Sequence, residues 1–226
     1  MNLTSEVDKG ARSFSNTLMK IVSRLAFVIA VPVALSFLTG CETGGTAGTA
    51  YRGGRAYHVV AYKPHDRSMV QVKLSKSTQT VYVLEGDRLL MAAQANVGRG
   101  GAETPSGNYS IINKDKTKRR VSEPDAGYPM AYWCEFAPAY GFHEGFVWST
   151  PRTHGCVRMH REAAARLYAL VTIGTPVHIA QSFPEDAKYG KDVMRIDQSR
   201  DPDPPRSLLM SSQWFKDPPG PLLVDQ

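Results

Sequence analysis

The sequence predicts a mainly β domain with one helix. Three observations carry that reading. Val70-Gln71-Val72-Lys73-Leu74 and Val81-Tyr82-Val83-Leu84 alternate or run apolar at strand length, with Glu85-Gly86-Asp87 as the intervening turn. Ala164, Leu167, Tyr168 and Val171 recur at i, i+3, i+4 and i+7, the spacing of one helix face, and Gly174 supplies a stop. Tyr57 to Ala180 is long enough for a single small domain with its own core, and no internal repeat interrupts it.

In chain order, the N-terminal part reads as export machinery. Leu25 to Leu38 is an apolar run behind Lys20 and Arg24, too short to span a bilayer comfortably and typical of a signal-peptide core. It ends in Leu38-Thr39-Gly40-Cys41, which resembles the lipobox of bacterial lipoproteins and makes Cys41 the expected lipidation site, with residues 1–41 as signal peptide. Met19-Lys20-Ile21 would begin a signal of ordinary length, so Met1–Leu18 reads as an artefact of start assignment. A retained anchor helix interrupted by Pro32 is the competing reading. Either way the folded part is expected outside the cytoplasmic membrane, in the cell envelope. Residues 42–56, rich in Gly and Thr, read as a flexible tether. Beyond Ser182, Asp201-Pro202-Asp203-Pro204-Pro205 and Asp217-Pro218-Pro219-Gly220-Pro221 oppose regular structure, so residues 182–226 are expected to be a largely disordered tail.

Charge limits the partners. The chain carries +6; residues 1–41 hold four basic and two acidic residues, which leaves +4 for the remainder, too mild to argue for nucleic acid. The run Lys114-Asp115-Lys116-Thr117-Lys118-Arg119-Arg120 could meet anionic glycan or carboxylates, but reads first as a solvated hairpin tip. Of three cysteines, Cys134 sits between apolar residues at strand spacing and is expected in the core. A Cys134–Cys156 disulfide is an alternative in an oxidising compartment, though it would silence Cys156.

Chemistry concentrates in Thr153-His154-Gly155-Cys156-Val157-Arg158-Met159, with His143 upstream. A free thiol is mostly protonated near neutrality and becomes a nucleophile when an imidazole, a cation or a helix N-terminus assists it. Cys156 is expected just before the helix, where the dipole and free N–H groups would favour a thiolate and later an oxyanion. Arg158, permanently charged, can grip a carboxylate or brace the fold.

These residues resemble the YkuD-type L,D-transpeptidases, whose signature is a histidine followed by [Ser/Thr]-His-Gly-Cys-x-[Arg/Asn]. The likeness extends to Val70–Leu74 and Gln79–Leu84 as an opening hairpin, to Asn96-Val97-Gly98 with Glu103-Thr104-Pro105-Ser106-Gly107-Asn108-Tyr109, to Pro129–Trp133, and to Gly174–Ile179 as a closing strand, covering roughly residues 70–180. It implies a YkuD-like catalytic domain of β-sandwich or mixed-sheet type with a helix after the cysteine, occupying residues 57–181. It implies Cys156 as nucleophile, His143 as base oriented by a neighbouring backbone carbonyl, His154 and Gly155 shaping the site and the oxyanion hole, and Arg158, Tyr132, Trp133 and Thr153 as substrate contacts. The substrate it implies is the peptidoglycan stem peptide, attacked before its terminal D-amino acid, with no cofactor or metal. Two departures stand out: Glu144 follows the histidine where many relatives have glycine, and the His143–Thr153 interval is short, which reads as subtype.

Other readings stay open. The same thiol could serve a carboxypeptidase, with water as acceptor. The domain could be a silent wall-binding lipoprotein. His143, His154, Cys156 and His160 are competent zinc ligands, although a His-x-Cys spacing is not a common structural zinc pattern.

Overall fold

The computed structural model describes residues 57–226. The signal peptide, the Cys41 lipidation site and the tether therefore lie outside the described residues. Nine strands follow one another: β1 (Val70–Ser75), β2 (Thr80–Glu85), β3 (Arg88–Asn96), β4 (Gly107–Ser110), β5 (Asn113–Asp115), β6 (Trp133–Ala137), β7 (Tyr140–Glu144), β8 (Val157–Met159) and β9 (Pro176–Ala180). Helix α1 (Arg161–Leu170) separates β8 from β9, and two short helices, α2 (Pro184–Tyr189) and α3 (Arg206–Met210), follow. The mainly β expectation holds.

The strands form one mixed sheet in the order β4-β9-β1-β2-β3-β8-β7-β6-β5. Most neighbours are antiparallel, but β1 pairs β9 and β7 pairs β8 in parallel. Long β3 serves both halves, pairing β2 along its length and β8 at Ala95 and Asn96. The sheet curls until β4 comes back against β6: Tyr109 packs at a tilt on Phe136 with ring centroids 5.4 Å apart, and the Ile112 N–H donates to the Glu135 carbonyl. Inside the curl lie Val72, Leu74, Val81, Val83, Leu90, Phe142, Val157 and Met159, all buried, with the Ala163, Ala164, Leu167 and Leu170 face of α1 against them. Each such aliphatic side chain removed from water contributes about 1.5–3 kcal/mol.

The turns differ in detail from the sequence reading. Glu85–Asp87 does turn the chain, with Gly86 at φ +56°, but it joins β2 to β3. The link from β1 to β2 is Lys76–Gln79, where Gln79 itself adopts φ +49° without any glycine to announce it. Helix α1 stops at Leu170, before Gly174, because Lys114 reaches across from β5 and donates to the Tyr168 and Val171 carbonyls at 2.8 and 2.7 Å. A cation at a helix C-terminus is favoured by the dipole as well.

The C-terminal segment overturns the expectation of disorder. Its prolines do limit regular structure to short helices, yet the chain between them is held to the domain by long-range hydrogen bonds. Asp186 accepts from Ser75, Thr78 and Tyr82; Gln94 exchanges two bonds with the Ile196 backbone; Gln198 exchanges two with the Val147 backbone. Val224 pairs with Tyr62, and Trp214, Phe215, Leu222 and Leu223 pack against the core. A proline-rich composition says where helices cannot form; it does not say that the backbone lacks partners.

Candidate active site

Strands β7 and β8 run parallel with Phe142 opposite Val157, His143 opposite Arg158 and Glu144 opposite Met159. Successive side chains of a strand face opposite sides. Phe142, Val157 and Met159 enter the core, while His143 and Arg158 emerge together on the other face. Cys156 is the bend residue immediately before β8, with its sulfur near the Ala139 carbonyl and the Gly141 N–H. One short parallel pair thereby gathers the thiol, the imidazole and the guanidinium.

The turn that presents Cys156 is tightly bound. The Thr153 hydroxyl donates to the Cys156 carbonyl at 2.5 Å and accepts from the Gly155 N–H at 3.1 Å. Thr104, buried on the loop before β4, donates to the Gly155 carbonyl and accepts from the Gly98 N–H, both at 2.9 Å. Gly98 has no room for a side chain: a Cβ there would lie 2.1 Å from the Ala102 carbonyl oxygen. Gly155 sits at φ +113° with the Tyr140 ring against it, where a Cβ would be 2.4 Å from a ring carbon. Both glycines are required by close approach and, at Gly155, by the left-handed backbone as well.

His143 is buried, and its Nδ1 lies 2.6 Å from the Glu144 carbonyl oxygen. A carbonyl can only accept, so Nδ1 carries the proton and Nε2 presents its lone pair. Burial, reinforced by the nearby Arg158 charge, lowers the imidazole pKa to about 3. Burial likewise raises the Cys156 thiol above its ordinary value, against the pull of the Gly141 N–H and the Arg158 and Arg120 charges. Both shifts favour the uncharged forms of the two groups. The thiol donates to the Ala139 carbonyl at 3.5 Å. Trp133 flanks the imidazole at 6.0 Å between centroids and lies across Gly141, where a Cβ would be 2.8 Å from its ring. Arg158 runs over Gly145 toward the Phe146 carbonyl.

Several sequence expectations shift. Helix α1 does not begin at Cys156: β8 intervenes, because Val157 and Met159 are needed in the core and Arg158 pairs across to His143. The helix N-cap is His160, whose Nδ1 accepts from the Glu162 N–H at 3.2 Å, so that histidine serves the helix and stacks on Tyr57. Thr153 is buried with its hydroxyl engaged inside the turn, which makes it a brace and not a substrate contact. The Gly155 N–H, donated to Thr153, is committed as well, so Gly155 contributes shape, not an oxyanion donor. Tyr132 is buried away from solvent, donating to the Lys216 carbonyl at 3.1 Å and lying 3.0 Å from Asp217 Oδ1. It anchors the C-terminal segment. His154 is exposed, with Nε2 3.2 Å from Arg99.

The basic run is no solvated hairpin tip: Lys114 caps α1, Lys116 pairs with Asp217 at 2.8 Å, and Arg119 donates to the Gly127, Leu209 and Met210 carbonyls. Cys134 and Cys156 are unbridged, and burial pushes Cys134 up to about 12. Among the described residues, no three His, Cys, Asp or Glu side chains converge to hold a metal ion. No helix among them is long and apolar enough to cross a membrane. Sequence reasoning gave no separate role to Thr104, Gly98 and Arg161, whose partners are distant along the chain. The first two stood in stretches whose pattern was noted without their bonds being foreseeable.

Comparison with known proteins adds a family match. Residues 69–179 match the family model for YkuD, the L,D-transpeptidase catalytic domain. A Bacillus licheniformis protein bearing the name L,D-transpeptidase YkuD is 27% identical over 140 residues, which cover 60% of this chain and 80% of that protein. Among solved structures, an L,D-transpeptidase from Stackebrandtia nassauensis aligns with a TM-score of 0.46 at 20% identity, covering 55% of this chain and 60% of the other. Another, from Xylanimonas cellulosilytica, aligns with a TM-score of 0.46 at 22% identity, covering 52% and 63%. The chain thus spans about three fifths of these structures.

Proposed function

From the premise that residues 69–179 are a YkuD-type L,D-transpeptidase catalytic domain, we propose that this protein is a cysteine acyltransferase acting on peptidoglycan stem peptides. The observation that carries the reading is the placement of His143 on β7 and of Cys156 immediately before the adjoining parallel β8, with the histidine's Nδ1 proton committed to the Glu144 carbonyl and Nε2 left to present its lone pair. An imidazole so held is a base and not a cation.

The reaction runs in two halves. The Cys156 proton passes to His143 Nε2 as the sulfur attacks the carbonyl carbon before the terminal D-amino acid of a tetrapeptide stem. Collapse of the tetrahedral intermediate breaks the amide bond, and the departing amine takes the proton from His143. A thioester to Cys156 remains. An amine of a neighbouring stem or wall protein then attacks that carbonyl, gives a proton to His143, and releases the thiolate, which recovers the proton. Burial makes imidazolium costly, so proton transfer is expected to be concerted with attack and not to precede it. Arg158, beside both groups, supports the developing negative charge. Trp133 walls the base, while Gly155 and His154 shape the turn on the approach to the sulfur.

The proposed setting is extracytoplasmic, with a lipid on Cys41 holding the domain at the membrane; loss of membrane association in Cys41→Ala tests that part. Intact-mass spectrometry with a disaccharide tetrapeptide, for wild type and Cys156→Ala in parallel, tests the chemistry. A wild-type adduct lacking the terminal D-amino acid, followed by a dimeric muropeptide, is the expected result. Tripeptide alone would assign the thiol to a carboxypeptidase. Neither adduct nor product from folded protein would favour a silent wall-binding domain.

A further inference from the structure

The residue after the base is a buried glutamate, and its partners lead to the far end of the chain. Glu144 follows His143 on β7, so its carboxylate leaves on the opposite face from the imidazole. There Oε1 accepts from Arg161 Nη1 at 3.1 Å, with both side chains less than a tenth exposed. Arg161 is the first residue of α1. A cation is disfavoured at that end of a helix, so helix formation does not account for it.

The other arm of Arg161 does. Its Nη2 donates to the Lys216 carbonyl, and the guanidinium lies 5.6 Å from the Tyr132 ring and 5.9 Å from the Trp214 ring. Tyr132 and Lys116 both reach Asp217. Glu144 is also fixed through its backbone: its N–H donates to the Ala131 carbonyl, and the N–H after its carbonyl, that of Gly145, donates to Met159, each at 2.9 Å. The Glu144 side chain is tied to Arg161, and through it to the C-terminal segment, in addition to these backbone bonds.

We propose that Trp214–Asp217, acting through Arg161 and Glu144, positions His143 by fixing the carbonyl that holds the Nδ1 proton. Glu144 and Arg161 are positioning residues in this scheme. It rests on the reading of His143 as the base. It also gives the C-terminal segment a part in the reaction from the side of the sheet remote from substrate.

The test reads the imidazole directly. In the full chain with 15N-labelled histidine, the His143 nitrogens are identified as the signals lost in His143→Gln. In wild type they should report a single tautomer, protonated at Nδ1. In Arg161→Met and Trp214→Ala they should move toward a mixture of tautomers, with kcat reduced about 10- to 100-fold and KM within about twofold. Arg161→Lys should recover part of both. A folded Arg161→Met protein with an unchanged tautomer and kcat would overturn the proposal, as would a loss confined to KM or to the melting temperature. If Arg161→Met does not fold, Asp217→Asn decides on the same signals. The tautomer measurement needs no substrate, so it stands apart from the outcome of the acyl-transfer assay.

Discussion

His143 hydrogen-bonds through Nδ1 to the carbonyl of its own neighbour, Glu144, at 2.6 Å. The bond settles the tautomer within β7 itself, and the surrounding burial keeps the ring uncharged. The ring's hydrogen-bond partner is a backbone carbonyl, and the carboxylate of the same residue is turned toward Arg161.

A stability signature follows from that burial. The folded pKa of His143, about 3, lies below its ordinary value of 6.5, so the unfolded chain binds the extra proton between those limits. Stability is then intact above pH 6.5 and falls as the solution is acidified toward 3. From pH 7 to pH 5 the His143 share of the loss is about 2 kcal/mol. Urea denaturation of wild type and His143→Gln at both pH values measures it: the variant should lose less stability over the interval by about that amount.

The resting thiol should be slow to react. Burial raises the Cys156 pKa above its ordinary value, so alkylation by iodoacetamide should be slower at pH 7 than that of free cysteine and should level off only at a higher pH than for free cysteine. A rate already level from pH 5 upward would indicate a thiolate–imidazolium pair and contradict the neutral dyad.

Thr104 should matter to the site without touching substrate. Thr104→Val strands the buried Gly98 N–H and the Gly155 carbonyl, at a cost of about 2–4 kcal/mol. Calorimetry should register the lower melting temperature. Single-turnover acylation should slow as the Cys156 turn loosens.

Tyr132 and Cys156 should separate in their kinetics. Tyr132→Phe removes the hydroxyl that meets Lys216 and Asp217, which should lower stability by about 1 kcal/mol and leave KM unchanged. Cys156→Ser should retain the melting temperature and lose measurable turnover. A raised KM in Tyr132→Phe with unaltered stability would return that residue to the substrate pocket.

Much of the site was readable because its spacing is local. The stretch Thr153–Arg158 and His143 stand in one segment each, and the alternation of Val157, Arg158 and Met159 already contains the strand that separates Cys156 from the helix. That strand was hidden by its brevity: three residues carry too little periodicity to compete with the stronger helical pattern that follows. The buried settings of Thr153 and Tyr132 were hidden for a different reason. Thr153 stands beside Cys156 and Tyr132 leads toward His143, and neither position reveals the hydroxyl's partners, which are the Gly155 N–H and Asp217.

By itself the sequence determined the strand-rich class, the helix after the cysteine and the burial of Cys134, and it singled out Cys156 and His143 as candidates. All of these are written in residue type and short-range period. Tertiary structure alone decided that His143 is buried with Nδ1 on the Glu144 carbonyl, that Thr104 braces the Cys156 turn from outside it, and that the proline-rich C-terminus is held to the domain. Burial and hydrogen bonding are properties of what surrounds a group. For Thr104 and Gly155, Arg161 and Lys216, or Gln94 and Ile196, those surroundings come from about 50 to 100 residues away along the chain.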